Sequence, residues 1–306
     1  MISLLQILIA IAPIYILIFL GFLYSRYKVI AEEDLVSLLF NIIMPAQIFI
    51  SLIQNPMEIK ALINFLAVII PSSFVVILIT AITLYYVCQN NLKNLILNCM
   101  ASIHINVAFI ALPIFQILFS DIEEIIYIIF YQMFITICII YLLERFVHAD
   151  ITKNNFLNTI KTPIIFSAIL GLLLNCLGIT VPGVILSSVN IIAKSASFLS
   201  LFLLGASFTH YVRLHHIFIL SKTSIFILLL KNIIYPIMCL FIGNTIFNLT
   251  SKELLRMVLI AAMPIGNNYY IYSKRYNIKN ESNKMLLLST LISMISITII
   301  ITLFSL

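Results

Sequence analysis

Charged residues are scarce in this sequence. Only 9% of its 306 residues are Asp, Glu, Lys or Arg, whereas 63% are hydrophobic. Soluble domains carry about 25% charged residues, so this scarcity excludes a soluble globular protein. Apolar segments of about 20 residues, the length of a transmembrane helix, follow one another along the chain, and the mean hydropathy is +1.18. The composition therefore predicts an all-α polytopic membrane protein.

Several chemical signatures are also missing. The 11 acidic residues all lie in predicted loops or at span ends, which argues against an intramembrane aspartyl protease and against cation exchange through buried carboxylates. The 5 cysteines have no CxxC or Cys/His spacing, and no nucleotide-binding loop or nucleophile elbow appears. The basic residues are scattered over short loops. We expect no enzyme, no catalytic residue, no metal, no cofactor and no nucleic-acid partner.

Ten apolar segments are separated by polar breaks. They cover residues 3–24, 34–54, 61–87, 95–119, 123–143, 159–178, 183–208, 217–247, 253–273 and 284–305. Lys194 and Lys231 fall inside spans. Of the other basic residues, the odd-numbered loops contain Arg26, Lys28, Lys93, Arg145, Lys153, Lys161, Arg213, Lys222, Lys274, Arg275, Lys279 and Lys284, and the even-numbered loops only Lys60, Lys252 and Arg256. The positive-inside rule then predicts cytoplasmic odd loops and both termini on the outer, periplasmic side of a bacterial inner membrane.

The two halves of the chain share a pattern. "PIYILIFLGFL" begins at Pro13 and "PIIFSAILGLL" begins at Pro163, so that Gly21 matches Gly171 at the same offset. Five spans per copy would make the second copy cross the membrane in the opposite sense, as in the inverted repeats of secondary transporters. The expected organisation is a first five-helix repeat, a cytoplasmic linker and a second repeat, at residues 1–145, 146–158 and 159–306.

Two predicted spans contain residues that interrupt helices. "AAMPIGNNYY" places Pro264, Gly266, Asn267 and Asn268 in the ninth span, and "HINVAFIALP" places His104, Asn106 and Pro113 in the fourth. Proline removes a backbone hydrogen bond, and unpaired backbone groups at membrane depth occur only inside protein or along a cavity. Broken helices at corresponding places of two inverted repeats indicate a central binding site, where amides and half-helix N-termini coordinate an anion.

Each polar residue also has a structural interpretation. Asn267 alone is typical of an amide that joins helices, whereas the prolines near Asn106 and Asn268 favour a substrate site. His104 is typical of a packed, hydrogen-bonded histidine, and we expect it to tune pH dependence rather than to bind substrate. Lys231 and Lys194 are costly inside a bilayer, so each has either a functional or a helix-pinning role.

These motifs resemble the auxin efflux carriers and the related bacterial malonate-transporter-like permeases. The resemblance extends over the whole chain in "LGFLYSRYKVIAEEDLVSLLFNIIMPAQIF", "NVAFIALP", "LFLLGASF", "KNIIYP" and, most specifically, "AAMPIGNNYYIYSKRY". Ala108, Ala111 and Phe198 depart from it where glycine or proline is usual. The resemblance implies a scaffold of spans 1, 2, 6 and 7 and a mobile transport domain of spans 3–5 and 8–10. It also implies helices that cross at Pro113 and Pro264, and a site of Asn106, Pro113, Pro264 and Asn268 with Lys231 beside it.

The expected function is secondary transport of a small organic anion, a carboxylate such as malonate or an auxin-like acid, by alternating access. The resemblance also implies a fold related to that of bile acid/sodium symporters, so a sodium-coupled carrier of that type is one alternative. A receptor or accessory subunit that binds a ligand without moving it is the other. Coupling to protons or to sodium stays open at this point. The expected partners are the anion, the lipid bilayer and a second copy of the chain, paired through the scaffold helices.

Overall fold

The fold is almost entirely helical. The computed structural model describes residues 4–54, 59–88, 92–119, 123–147, 163–212, 220–275 and 281–305. Over these ranges it contains no strand apart from one isolated bridge between Ile105 and Ile265. The helical class predicted from composition is confirmed.

Fifteen helices can be named in chain order within the described part of the chain. They are α1 Leu4–Tyr27, α2 Glu32–Leu38, α3 Met44–Gln54, α4 Ile59–Cys88, α5 Leu92–Ile103, α6 Leu112–Leu118, α7 Glu123–Val147, α8 Pro163–Cys176, α9 Gly183–Lys194, α10 Ala196–Val212, α11 Lys222–Leu229, α12 Tyr235–Thr245, α13 Ser251–Ala262, α14 Asn268–Arg275 and α15 Ser282–Ser305. Several of them join into longer helical segments.

Six of the resulting segments are long and apolar enough to cross a membrane: Glu32–Gln54, Lys60–Tyr86, Glu124–Leu143, Gly183–Thr209, Lys222–Thr245 and Ser282–Phe304. Shorter apolar helices are Ala12–Tyr27, Leu92–Ile103, Val107–Leu118 and Pro163–Cys176. This is the pattern of an integral membrane protein.

Three π-helical turns join α2 to α3, precede α6 and join α11 to α12. They cover Leu39–Ile43, Val107–Ala111 and Leu230–Ile234, and a proline follows each one two residues later, at Pro45, Pro113 and Pro236. A proline ring clashes with the carbonyl one turn before it, and a wider π turn relieves that clash while the helix continues. At each of these three prolines the helix continues without a break.

Helices α1 and α10 approach each other closely through a pair of glycines. A Cβ atom on Gly21 would lie 1.9 Å from the Phe202 carbonyl oxygen, and one on Gly205 would lie 1.8 Å from the Ile18 carbonyl oxygen. No side chain fits at either position. This explains why the motif "LFLLGASF" has a glycine, Gly205, at its centre. Small residues at such crossings let helix backbones meet in membranes.

The corresponding contact in the second half joins α8 to α3. A Cβ on Gly171 would meet the Leu52 Cβ at 3.1 Å, and the amide of Asn175 donates to the Leu52 carbonyl at 2.9 Å. Gly21 and Gly171, which match in the sequence pattern, therefore both lie where one helix presses against another.

Candidate functional site

The two interrupted stretches meet inside the protein. The Asn106 N–H donates to the Pro264 carbonyl at 2.9 Å, and the Gly266 N–H donates to the His104 carbonyl at 3.2 Å. Two short extended pieces, residues 104–106 and 264–266, thus pair antiparallel through the Ile105–Ile265 bridge. Each piece thus supplies a hydrogen-bond partner to one backbone N–H that the interrupted helix of the other piece leaves free.

Gly266 is required by this pairing. A Cβ atom there would lie 2.5 Å from the His104 Nδ1 and 2.7 Å from the Ile105 carbonyl oxygen. Any larger side chain would separate the two pieces, because one of the atoms it meets belongs to the backbone. The glycine of the ninth-span motif is therefore a close-approach glycine.

Asn106 begins the second half of the fourth segment. Its Oδ1 accepts the Phe109 N–H at 3.2 Å, the capping role that favours asparagine at a helix N-terminus. The side chain is buried, at 4% exposure. Helix α14 begins at Asn268, directly after the second interruption. Two half-helix N-termini, which carry partial positive charge, therefore begin at the place where the pieces pair.

A cavity of about 220 Å³ lies next to this pairing. Its described polar lining is Glu32, Asn106, Ser207, Asn267, Tyr270 and Thr290, and its described apolar lining is Val36, Phe109, Leu203, Leu204, Phe208, Leu286 and Leu287. One asparagine comes from each interrupted segment. The cavity lining therefore combines two amides, three hydroxyl groups and one carboxylate with an apolar surface.

The cavity lies toward the odd-numbered loops. Glu32 begins α2 directly after the first loop, and Phe208 lies near the end of α10, before the seventh. Tyr270 and Leu286 lie on the helices that flank the ninth. These are the loops rich in basic residues, so the cavity faces the side on which the positive-inside rule places the cytoplasm.

Not every predicted site residue lines this cavity. Asn268 is half-buried at the start of α14 and is absent from the described lining, whereas Asn267 is part of it. Pro264 lies in the interruption itself and accepts the Asn106 N–H. Pro113 does not lie there, because the fourth segment is interrupted at 104–106 and Pro113 is inside α6. The expected crossing at Pro113 is thus corrected to His104–Asn106, since a π turn accommodates the proline.

His104 and Lys231 are both buried beside the paired pieces. The His104 Nε2 hydrogen-bonds the Thr136 hydroxyl at 3.1 Å. The Lys231 ammonium is completely buried; it donates to the Ala261 carbonyl at 2.8 Å and lies 4.8 Å from the centre of the Tyr235 ring. Lys231 thus binds a carbonyl in the last turn of α13, just before the interruption, and neither residue is in the described cavity lining. Lys194 is exposed at the end of α9.

Sequence reasoning missed the hydroxyl residues of the cavity. Ser207 and Thr290 also donate to carbonyls of their own helices, at Leu204 and Leu286, both at 2.8 Å. A serine or threonine that bonds its own helix is tolerated in an apolar span, so it leaves no distinctive pattern in a sequence. Among the described residues, no three His, Cys, Asp or Glu side chains are grouped to hold a metal ion.

Comparison with known proteins finds related membrane transporters. The family model described as "Membrane transport protein" matches residues 144–301, slightly more than half of the chain. Proteins named "Uncharacterized transporter YfdV" from Escherichia coli strain K12, Escherichia coli O157:H7 and Shigella flexneri are each 25% identical over 283 residues, which cover 87% of both sequences. The chain belongs to the membrane transport protein family, that of the auxin efflux carriers.

Proposed function

We propose that the protein is a secondary carrier that moves a small organic anion across the membrane by alternating access. The observation that supports this most directly is the cavity that borders the paired interruptions and receives Asn106 from one and Asn267 from the other. Half-helix N-termini at an interruption are the usual place for an anionic group in such carriers. Asparagine amides add hydrogen-bond donors without a fixed charge.

The size of the cavity narrows the range of substrates. Its volume is about 220 Å³. A carboxylate of a few carbon atoms, such as malonate, fits this space. Pockets for drug-sized ligands measure about 300–1,000 Å³, which is more than this cavity provides. Size therefore favours the small-acid carrier over the bile-acid type.

The proposed architecture has ten spans in two inverted five-helix repeats, at residues 1–145 and 159–306. Two observations support it. The matched glycines Gly21 and Gly171 both lie at close helix contacts, and both interrupted segments are broken where they pair. The scaffold would consist of spans 1, 2, 6 and 7, the transport domain of the other six, and a homodimer would form through the scaffold.

Uptake into proteoliposomes tests the function. The purified protein should accumulate radiolabelled malonate, or another acid chosen by a thermal-shift screen of mono- and dicarboxylates, above the level of empty liposomes. Ligand-induced stabilisation without any uptake would identify a receptor instead. Uptake that stops when sodium is omitted would identify a sodium-coupled carrier, and uptake driven by a pH gradient would identify coupling to protons.

The loop charges predict the orientation. Cysteines introduced at residues 1 and 306 should both react with a membrane-impermeant maleimide added to intact cells, and one at residue 279 should react only after permeabilisation. The physical reason is the excess of basic residues in the odd-numbered loops. Opposite accessibility of the two termini would give an odd number of spans and would contradict the two-repeat architecture.

Alternating access makes a prediction for Gln116, at the far end of α6 from the cavity. Its amide donates to Gln47 of α3 at 3.4 Å, and its oxygen accepts the Ser197 hydroxyl of α10. In the proposed architecture these bonds join the transport domain to the scaffold on the side away from the cavity. Gln116→Leu should weaken the inward-facing state by about 1–3 kcal/mol, the sum of two hydrogen bonds, and should favour the outward-facing one.

The measurement is the maleimide labelling rate of Ser207→Cys in a cysteine-free background. Ser207 lines the cavity, which faces inward in the proposed orientation, so labelling in inside-out vesicles should slow when Gln116→Leu is added. Gln54→Leu, at an exposed glutamine at the end of α3, is the matched control and should not change the rate. An equal rate in all three proteins would show that the Gln116 bonds do not hold this state.

A further inference from the structure

We infer that Gln132 and the Ser289–Asn232 pair are positioning residues, each of which holds one of the two paired backbone pieces in place for solute binding. Gln132 is on α7, Ser289 is on α15 and Asn232 is in the π turn that precedes α12. All three side chains are buried. This inference rests on the proposed function, because it concerns the geometry of the same site.

Gln132 hydrogen-bonds the backbone of the first piece, residues 104–106. With its amide oriented to match its neighbours, the side-chain oxygen accepts the Ile105 N–H at 2.7 Å and the nitrogen donates to the Ile105 carbonyl at 3.1 Å. A single side chain thus forms the two bonds that a neighbouring strand would form. Ile105 precedes Asn106, so Gln132 fixes the backbone from which that asparagine extends toward the cavity.

Ser289 hydrogen-bonds the backbone of the second piece, residues 264–266. Its hydroxyl oxygen accepts the Ile265 N–H at 3.0 Å, and its proton is donated to the Asn232 side-chain oxygen at 3.1 Å. The Asn232 amide nitrogen in turn donates to the Leu228 carbonyl at 2.9 Å. This chain of bonds orients the serine hydroxyl, because Asn232 leaves it one direction in which to donate. Ile265 lies two residues before Asn267.

Gln132 and the Ser289–Asn232 pair, the two supports of the paired pieces, have the same role but use different chemical groups. Each serves the central residue of one extended piece, Ile105 or Ile265, on a side that the other piece does not cover. A buried N–H without a partner is strongly unfavourable in a membrane protein, so without its support a piece would twist to find another partner. Its asparagine would then move out of the cavity. Each support therefore acts mainly on the asparagine of its own piece.

Hydrogen exchange of the full-length protein in nanodiscs, read by mass spectrometry, tests this without a ligand. Gln132→Leu should accelerate exchange in the peptide that covers residues 104–106 about tenfold, as expected for one lost buried hydrogen bond. The same substitution should change the exchange rate of the peptide that covers residues 264–266 by less than about twofold. Ser289→Ala should do the reverse, and Ser289→Thr should restore slow exchange because it keeps the hydroxyl.

Ser296→Ala is the control on α15, since the Ser296 hydroxyl donates to its own helix at Ile292; it should leave both peptides unchanged. Equal acceleration of both peptides by either variant would indicate general loosening and would overturn the inference, as would no acceleration at all.

Uptake kinetics give a second readout. Gln132→Leu should raise the KM for the acid, and this effect should be non-additive with Asn106→Ala and additive with Asn267→Ala. Ser289→Ala should show the opposite pattern, whereas a merely structural role would give no such selectivity. If the asparagine variants transport normally, the proposed function fails, and the exchange results still decide whether the supports exist.

Discussion

Replacing either Asn106 or Asn267 by alanine should lower the rate of carboxylate uptake about tenfold to hundredfold at unchanged abundance in the membrane. Each change removes an amide from the cavity and leaves either the solute or a backbone group without its partner, which is unfavourable by about 1–3 kcal/mol. The measurement is initial uptake into proteoliposomes at a solute concentration well below KM, normalised to reconstituted protein.

Two matched variants separate binding from folding. Asn106 also caps the half-helix that follows it; Asn106→Ser keeps a capping oxygen and loses the amide, so it should preserve thermal stability and still impair uptake. Asn268→Ala, beside Asn267 but outside the described cavity lining, should reduce uptake markedly less. A larger effect at Asn268 than at Asn267 would return the site to the assignment first expected from the sequence.

Replacing Gly205 by alanine should prevent stable folding of the scaffold. The new methyl group would lie 1.8 Å from the Ile18 carbonyl oxygen, and α1 and α10 would have to separate along their contact. Overpacking lowers the free energy of unfolding by about 1–3 kcal/mol, occasionally more. We expect a value at the upper end of this range, because the new methyl group collides with backbone atoms. We expect a large loss of monodisperse protein in detergent and a melting temperature lower by about 5 °C or more.

Gly183→Ala is the control for this prediction. Gly183 is at the start of α9, and a Cβ atom there would have nothing within 4 Å, so the variant should fold and melt as the wild type does. Gly21→Ala, on the other side of the same helix contact, should behave like Gly205→Ala. Normal yield and melting of Gly205→Ala would show that α1 and α10 do not pack as the structure has them.

The interruptions themselves could be located from the sequence. Proline, glycine and asparagine inside an apolar run have few structural explanations, and the structure is non-helical at 104–106 and at 263–267. Proline alone was a weaker guide. Pro113 resembles Pro264 in the sequence, yet a π turn absorbs the former while the latter lies in extended backbone. Which response a proline produces depends on the packing around the helix, which a single sequence does not contain.

The orientation of individual side chains could not be predicted. Successive residues of a helix differ by about 100° around its axis, so the choice between Asn267 and Asn268 depends on where the backbone resumes helical geometry. That point is set by the pairing of Gly266 with His104. Gln132 and Ser289 were missed for a related reason: single polar residues in spans have many ordinary roles, and only the fold brings these two to the interruptions.

The most direct test of the account is the position of a bound acid. A cryo-EM structure with the carboxylate that is taken up fastest should show it in the cavity beside the paired interruptions, within hydrogen-bond distance of the side-chain amides of both Asn106 and Asn267. A bound acid anywhere else, with this cavity unchanged, would contradict the central claim.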